Sequence, residues 1–295
     1  MPKSGRASLT RQIQLELDSC LCIGQSKHEA KQSGAVRENI YSWSTYRNYM
    51  KHCNYFAAYC KEKHGCRTLQ ECRQYANEWL ESRSHLSPST IKLEVAALSK
   101  LYNTTSKDFI ETAPRTRDKI TRSRGEKVRD KHFSEARHQD FVDFCRATGC
   151  RRNELKNLTG DCLVFEAGKP FLRLTVGTKG GRPRTAPVIG VNAEKVVSMM
   201  QAAGSGLVFQ TVPGGADIHS YRADYATALY ESLARDLETC KADKFWNKER
   251  QKWESCVCWC RGSQKGRWLD KKAMLAVSQA LGHNRISIVA GHYIR

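Results

Sequence analysis

Four short segments carry the residues able to do chemistry: Thr148-Gly-Cys-Arg151-Arg-Asn-Glu154-Leu, Thr178-Lys179-Gly-Gly-Arg182, His219-Ser-Tyr-Arg222, and Leu281-Gly-His283 with Tyr293 ten residues beyond it. Two planar guanidiniums can grip both non-bridging oxygens of a phosphodiester as negative charge builds during attack. Arg222, with Arg151 or its neighbour Arg152, could form such a clamp. His219 and Arg222 stand three apart on an expected helix, so they share one face near its N-terminus, where the dipole also favours an anion. A phenol with its ordinary pKa near 10 becomes a useful nucleophile when positive charge or a base assists it. The arginines and histidines of these segments offer both kinds of help to Tyr293.

Together, the order and spacing of the four segments resemble the signature of the tyrosine recombinases of the phage-integrase type. The likeness is close over residues 134 to 295 and extends more loosely to about residue 40. It implies an enzyme that cuts and rejoins DNA without metal, ATP or cofactor, forming a 3′-phosphotyrosyl link on Tyr293 and freeing a 5′ hydroxyl. The family's arginine stands three residues before a glutamate, here Glu154, which selects Arg151 over Arg152. By the same resemblance Lys179 protonates the departing 5′ oxygen, His219 accepts the tyrosine's proton, and His283 supports the phosphate. Tyr293 stands one residue farther from Leu-Gly-His than is usual in the family. The usual place falls on His292, which is expected to be structural. Only Ile294 and Arg295 follow the tyrosine, so contacts that relatives make through a tail helix are expected elsewhere.

The resemblance further implies double-stranded DNA attachment sites as substrate, a homotetramer acting through a Holliday junction, and possible accessory DNA-bending proteins. Integration or excision of a phage or other mobile element is the implied role. Two rivals remain: a type IB topoisomerase-like enzyme or resolvase that uses the same site, and a non-cutting DNA-binding regulator or accessory protein that keeps the fold and would be favoured by loss of catalytic residues.

The elements that must position these residues suggest a mainly α protein with a small antiparallel β-sheet. A helical core-binding domain and a tyrosine-recombinase catalytic domain would form a two-domain DNA clamp. Residues 8 to 32 read as a polar helix, inside an N-terminal segment 1–35 of open role. Residues 36–103 form the expected helical DNA-binding domain, with caps at Ser44 and Ser87 and apolar residues Ile91, Val95, Leu98 and Leu101 at helical spacing. A basic linker, 104–133, holds Arg115, Arg117, Lys119, Arg122 and Arg124, which are expected to follow the DNA backbone together with Arg182 and Arg184.

The catalytic domain, 134–295, opens on a helix stopping at Gly149. Short strands are expected over 163–165, 171–176 and 185–189, with Lys179 in a turn between the last two. Helices follow over 193–203, 219–237 and 271–281, with Gly282 as a stop.

Composition agrees with a polyanionic partner. Across 295 residues Lys and Arg outnumber Asp and Glu by 49 to 30, a formal charge of +19. The basic residues are spread along the chain rather than on one amphipathic face, which argues against a membrane surface. No apolar run is long enough to span a bilayer and no export signal opens the chain, so a cytoplasmic location is expected. Thirteen cysteines, an odd number in a long chain, are expected to be reduced.

Cys256, Cys258 and Cys260, with Cys240 upstream, fall in an apparent insertion at about 239–270 and invite a zinc reading. Their alternation suits one face of an extended segment better than paired Cys-x-x-Cys ligands, so buried free thiols are expected and no metal. The insertion's Lys, Arg and Trp residues could touch DNA. Thr178-Lys-Gly-Gly lacks the P-loop pattern and gives no support to nucleotide hydrolysis.

Overall fold

A computed structural model describes residues 7–25, 30, 34, 39–114, 133–248, 250–261, 265–283 and 285–294. The chain divides into two units, Met1–Thr116 and Arg117–Arg295. Arg115, Arg117, Lys119, Arg122 and Arg124, the proposed DNA-following residues of the linker, lie outside the described residues.

The first unit is helical. Helix α1 (Leu9–Ser19) is capped by the Ser8 side chain and buries Leu9, Ile13 and Leu17, one residue per turn along a single face. It ends well before residue 32, and Leu21 then bridges to Ile40. Helix α2 (Trp43–His64) is capped by Ser42 rather than Ser44, because the Ser42 hydroxyl is the one that accepts from Thr45 N–H. It stops at Gly65 in the left-handed region, φ +66.

Two short helices, α3 (Leu69–Cys72) and α4 (Ala76–Ser82), lead to α5 (Pro88–Leu101). Ser87 caps α5 ahead of Pro88, and Ile91, Val95, Leu98 and Leu101 are buried as their spacing predicts. These helices share one core with Phe56, Trp79 and Leu80, and the N-terminal helix α1 packs into that same core. The first residues of the expected linker also pack here: Thr105 and Asp108 close a capping box, and Phe109 and Ile110 lie against the core.

In the second unit α6 (Gln139–Thr148) ends at Gly149, φ +57. A Cβ on Gly149 would sit 2.3 Å from a ring carbon of Tyr225, so side chain and backbone geometry both require glycine there. A single helical turn, α7 (Arg152–Leu155), follows. The sheet is antiparallel in the order β1 (Leu163–Glu166), β2 (Lys169–Leu174), β3 (Arg184–Pro187), with Leu172 opposite Leu163 on one side and Ala186 on the other. A 3-10 turn, Lys179–Gly181, lies between β2 and β3.

Helices α8 (Ala193–Ala203) and α9 (Ile218–Leu233) complete the part of the unit built around Phe144, Leu155, Leu172 and Met200. Residues 237–270 make a small layer of their own: α10 (Leu237–Ala242), a hairpin of β4 (Lys244–Asn247) and β5 (Lys252–Ser255), and a second of β6 (Val257–Trp259) and β7 (Trp268–Asp270). Arg235 ties this layer down through Asp270, at 2.7 Å, and Asp243, at 2.6 Å. Helix α11 (Lys271–Ala280) then leads into α12 (Ile286–His292), and Tyr225, Met274, Val277, Leu281, Val289 and Ile294 pack together. No helix among the described residues is long and apolar enough to cross a membrane.

Candidate active site

Glu154 organises the site. Its side chain is fully buried, and it accepts a two-pronged grip from Arg184, Nε at 3.0 Å and Nη2 at 2.7 Å. It also takes the Arg151 backbone N–H at 2.6 Å and Arg151 Nη1 at 2.8 Å, which sets that guanidinium at the start of α7. Burial alone would push this carboxyl up, but the Arg184 hydrogen bonds and charge, with help from Arg151, outweigh it and hold Glu154 down to about 2.

A collar of backbone carbonyls completes the arrangement. Arg151 Nη2 donates to the Leu281 carbonyl at 2.6 Å. Arg222, 1 % exposed, donates to the carbonyls of Gly149 and Leu281. Arg184 donates to Ala280 and Gly149. The left-handed ends of α6 and α11, at Gly149 and Gly282, thus turn unpaired helix-terminal carbonyls onto three guanidiniums. Arg222 Nε is buried and has no partner in hydrogen-bonding geometry. Burial and the charges of Arg184 and Arg151 pull Arg222 down to about 10, which leaves it charged at neutral pH.

Tyr293 lies beside this cluster. It follows α12, is held by its own N–H to the Val289 carbonyl, and its carbonyl accepts from Thr227. The Arg222 guanidinium is 5.6 Å from its ring centroid, and its hydroxyl is 3.3 Å from His283 Nε2. Burial, then the positive charges of Arg222, Arg151, Lys179 and Arg184, push His283 down to about 4, so its ring is neutral at neutral pH. A neutral imidazole next to a phenol can accept a hydrogen bond from its hydroxyl.

The structure therefore gathers Arg151, Glu154, Arg222, His283 and Tyr293 at one place. Lys179 is exposed on its turn, close enough that its charge acts on His283. His219 is exposed on the first turn of α9, and the hydroxyl of Tyr293 meets His283 instead. Arg182 is exposed. Arg184 corrects an expectation: it is buried against the Glu154 carboxylate and the carbonyls of Ala280 and Gly149, not presented to DNA. Its strand signals this role, since Arg184 and Ala186 point inward while Thr185 is exposed. The carbonyls of Gly149 and Leu281 carry no side-chain signature and were invisible in the sequence.

The cysteines of the insertion separate. Cys240 and Cys256 lie in a small core with Val257, Leu237, Phe245 and Trp268, while Cys258 and Cys260 pack on the neighbouring cluster around Leu269 and Met274. Among the described residues no group of three or more His, Cys, Asp or Glu is arranged to hold a metal.

Over 96% of its length this chain superposes on 90% of a XerH site-specific recombinase bound to palindromic difH substrate in a post-cleavage complex, with a TM-score of 0.51 and 16% identity. It has the tyrosine-recombinase fold. The Tn1549 transposon integrase in complex with circular intermediate DNA is also similar, at a TM-score of 0.47 and 11% identity over 98% of this chain and 96% of that one. No protein-family model matches the sequence, and no curated protein does. In this chain the arginine collar lies between the ends of α6 and α11, and Tyr293 follows α12.

Proposed function

We propose that this chain is a site-specific recombinase that cleaves and rejoins DNA through Tyr293. The observation that carries the reading is the Tyr293 hydroxyl held 3.3 Å from a neutral His283 and beside the buried, charged Arg222. On this reading the Tyr293 oxygen attacks a phosphorus, its proton passes to His283 Nε2, and the bond to the 5′ oxygen breaks. Lys179 gives the departing oxygen a proton, leaving a 3′-phosphotyrosyl link and a 5′ hydroxyl. The reverse sequence rejoins a strand, and because bond energy is conserved no ATP is required.

Arg151 and Arg222 stabilise the charge that develops on the phosphate, as preorganised donors in a site shielded from water do. Glu154 and Arg184 position them from below. On this reading His219, exposed on the helix that carries Arg222, contacts the bound phosphate, while His283 rather than His219 takes the tyrosine's proton. The substrates are double-stranded attachment sites, joined by four copies of the chain with accessory DNA-bending proteins, in the integration or excision of a mobile element. Exposed Arg182 and the linker arginines contact the backbone of that DNA. The division of labour, with DNA binding by the helical unit and catalysis from residue 134, belongs to the same proposal.

The test uses DNA that the protein itself selects. Protein expressed in cells is denatured rapidly, covalently bound DNA is recovered and sequenced, and the junction is rebuilt as a nicked duplex. Wild type should form an adduct that survives denaturant, and Tyr293→Phe should bind the duplex without linking. An adduct that persists in Tyr293→Phe, or none from wild type, sinks the assignment. Relaxation of supercoiled DNA with no strand exchange would move the reaction to the topoisomerase class.

A further inference from the structure

The β4–β5 hairpin is outside the arginine site, yet it carries two exposed tryptophans side by side, one of them, Trp253, the most exposed large aromatic among the described residues of the second unit. Trp246 and Trp253 stand directly opposite each other across the hairpin, their rings 5.8 Å apart and tilted by 67°. They remain 43% and 65% exposed. The other face of the hairpin accounts for its folding: Phe245 packs on the small core around Cys240 and Cys256, with Lys271 Nζ 5.4 Å from its ring centroid. Glu254 on that face is paired with Arg250 at 3.0 Å and Lys271 at 3.6 Å. The tryptophan pair is therefore not needed to close the core beneath it.

Lysines surround the pair. Lys244 shares its face, and Lys248 and Lys252 are exposed at the turn end of the two strands. None of these three makes an ion pair among the described residues. Lysine is depleted at protein–protein interfaces, where tryptophan is enriched. Tryptophan together with lysine instead matches a polyanion that has flat faces to stack on. In an intact duplex those faces are covered by neighbouring bases.

We propose that the β4–β5 hairpin binds DNA bases that have left the stack, with Trp246 and Trp253 as the stacking platform and Lys244, Lys248 and Lys252 neutralising the adjacent phosphates. The inference rests on the reading that this chain binds DNA, and it adds a preference for locally unpaired DNA that the arginine site does not supply.

The full chain is titrated into two fluorescein-labelled duplexes of equal length, one fully paired and one with a central run of mismatches. Wild type should prefer the mismatched duplex by on the order of ten-fold, the size expected from stacking of a base on an aromatic ring. The double variant Trp246→Ala/Trp253→Ala should lose that preference while keeping its affinity for the paired duplex. Trp253→Tyr should retain most of the preference, which separates loss of stacking from loss of fold. Equal binding of the two duplexes by wild type, or an unchanged preference in the double variant, overturns the hairpin inference and leaves DNA binding standing. Binding to neither duplex overturns the DNA reading itself. A dimer in light scattering that the double variant loses would assign the face to a second copy of the chain instead.

Discussion

Each unit buries a glutamate completely, Glu94 in the first and Glu154 in the second, and the two are treated in opposite ways. In the helical unit Glu94 faces Arg83, whose Nη2 and Nε are 2.7 and 2.8 Å from Oε1, and His52 Nδ1 at 3.1 Å from the same oxygen. One arginine balances one carboxylate there, and the second oxygen, Oε2, finds no partner. In the other unit both oxygens of Glu154 are engaged, by Arg184 and Arg151, and a third guanidinium, Arg222, is stacked into the same space. Three positive groups therefore share one negative one.

The first arrangement is a closed ion pair whose leftover capacity is an acceptor. The second leaves net positive charge and a buried donor, Arg222 Nε, which suits an incoming anion. The two networks thus differ in the sign of the remainder rather than in burial.

The largest expected difference between the two networks is in chemistry. Arg222→Lys keeps the charge but loses the fork that reaches the Gly149 and Leu281 carbonyls. Its adduct formation on nicked DNA should fall by about 10²–10³-fold, the scale set by removing one preorganised oxyanion donor. Arg83→Lys should leave single-turnover adduct formation unchanged and lower only the melting temperature. Equal rates in the two variants would erase the functional distinction.

Next in size is stability. Glu154→Gln leaves Arg184, Arg151 and Arg222 together with no countercharge, so unfolding free energy should drop by about 3–5 kcal/mol, as for a broken buried pair. Glu94→Gln should cost less, because Arg83 is 24% exposed and can be solvated while Arg184 is 1% exposed and cannot. Chemical denaturation of both variants measures the gap. The sign with pH follows from Glu154 lying at about 2, below its ordinary 4.5. Its stabilisation is fully present above 4.5 and is lost as pH falls toward 2, and Glu154→Gln should lack that acid-dependent loss.

How much of this was legible in the sequence depends on what carries the information. The α5 face of Ile91, Val95, Leu98 and Leu101 followed from spacing because helical packing repeats. Arg151, Glu154, Arg222, His283 and Tyr293 were singled out by type and order, and the fold does bring them together. The cap of α2 fell two residues earlier than expected because neighbouring serines compete and only the geometry of Thr45 N–H decides between them. Arg184 was misplaced because a basic residue near a turn looks solvent-facing until the strand register turns it inward. The carbonyl collar was not legible at all, since backbone oxygens have no letter and their convergence depends on where two helices happen to end.

The smallest effect, and the most specific to the anion-seeking network, concerns His283. Its pKa is lowered from 6.5 to about 4 by burial and by the same surplus of guanidiniums that distinguishes the Glu154 network from the Glu94 one. Between those two values the unfolded chain takes up a proton at this position and the folded chain does not. Folding stability should therefore weaken as pH falls through that window, and His283→Gln should remove that part of the slope. The kinetic counterpart is cleaner, because the second-order rate of adduct formation reports groups in the free protein. If neutral His283 accepts the Tyr293 proton, the acid limb it imposes on that rate should lie near 4, with no break near 6.5. An acid limb that persists in His283→Gln and disappears in His219→Gln would instead make His219 the acceptor, restoring the role that sequence resemblance gave it and detaching proton transfer from the arginine surplus.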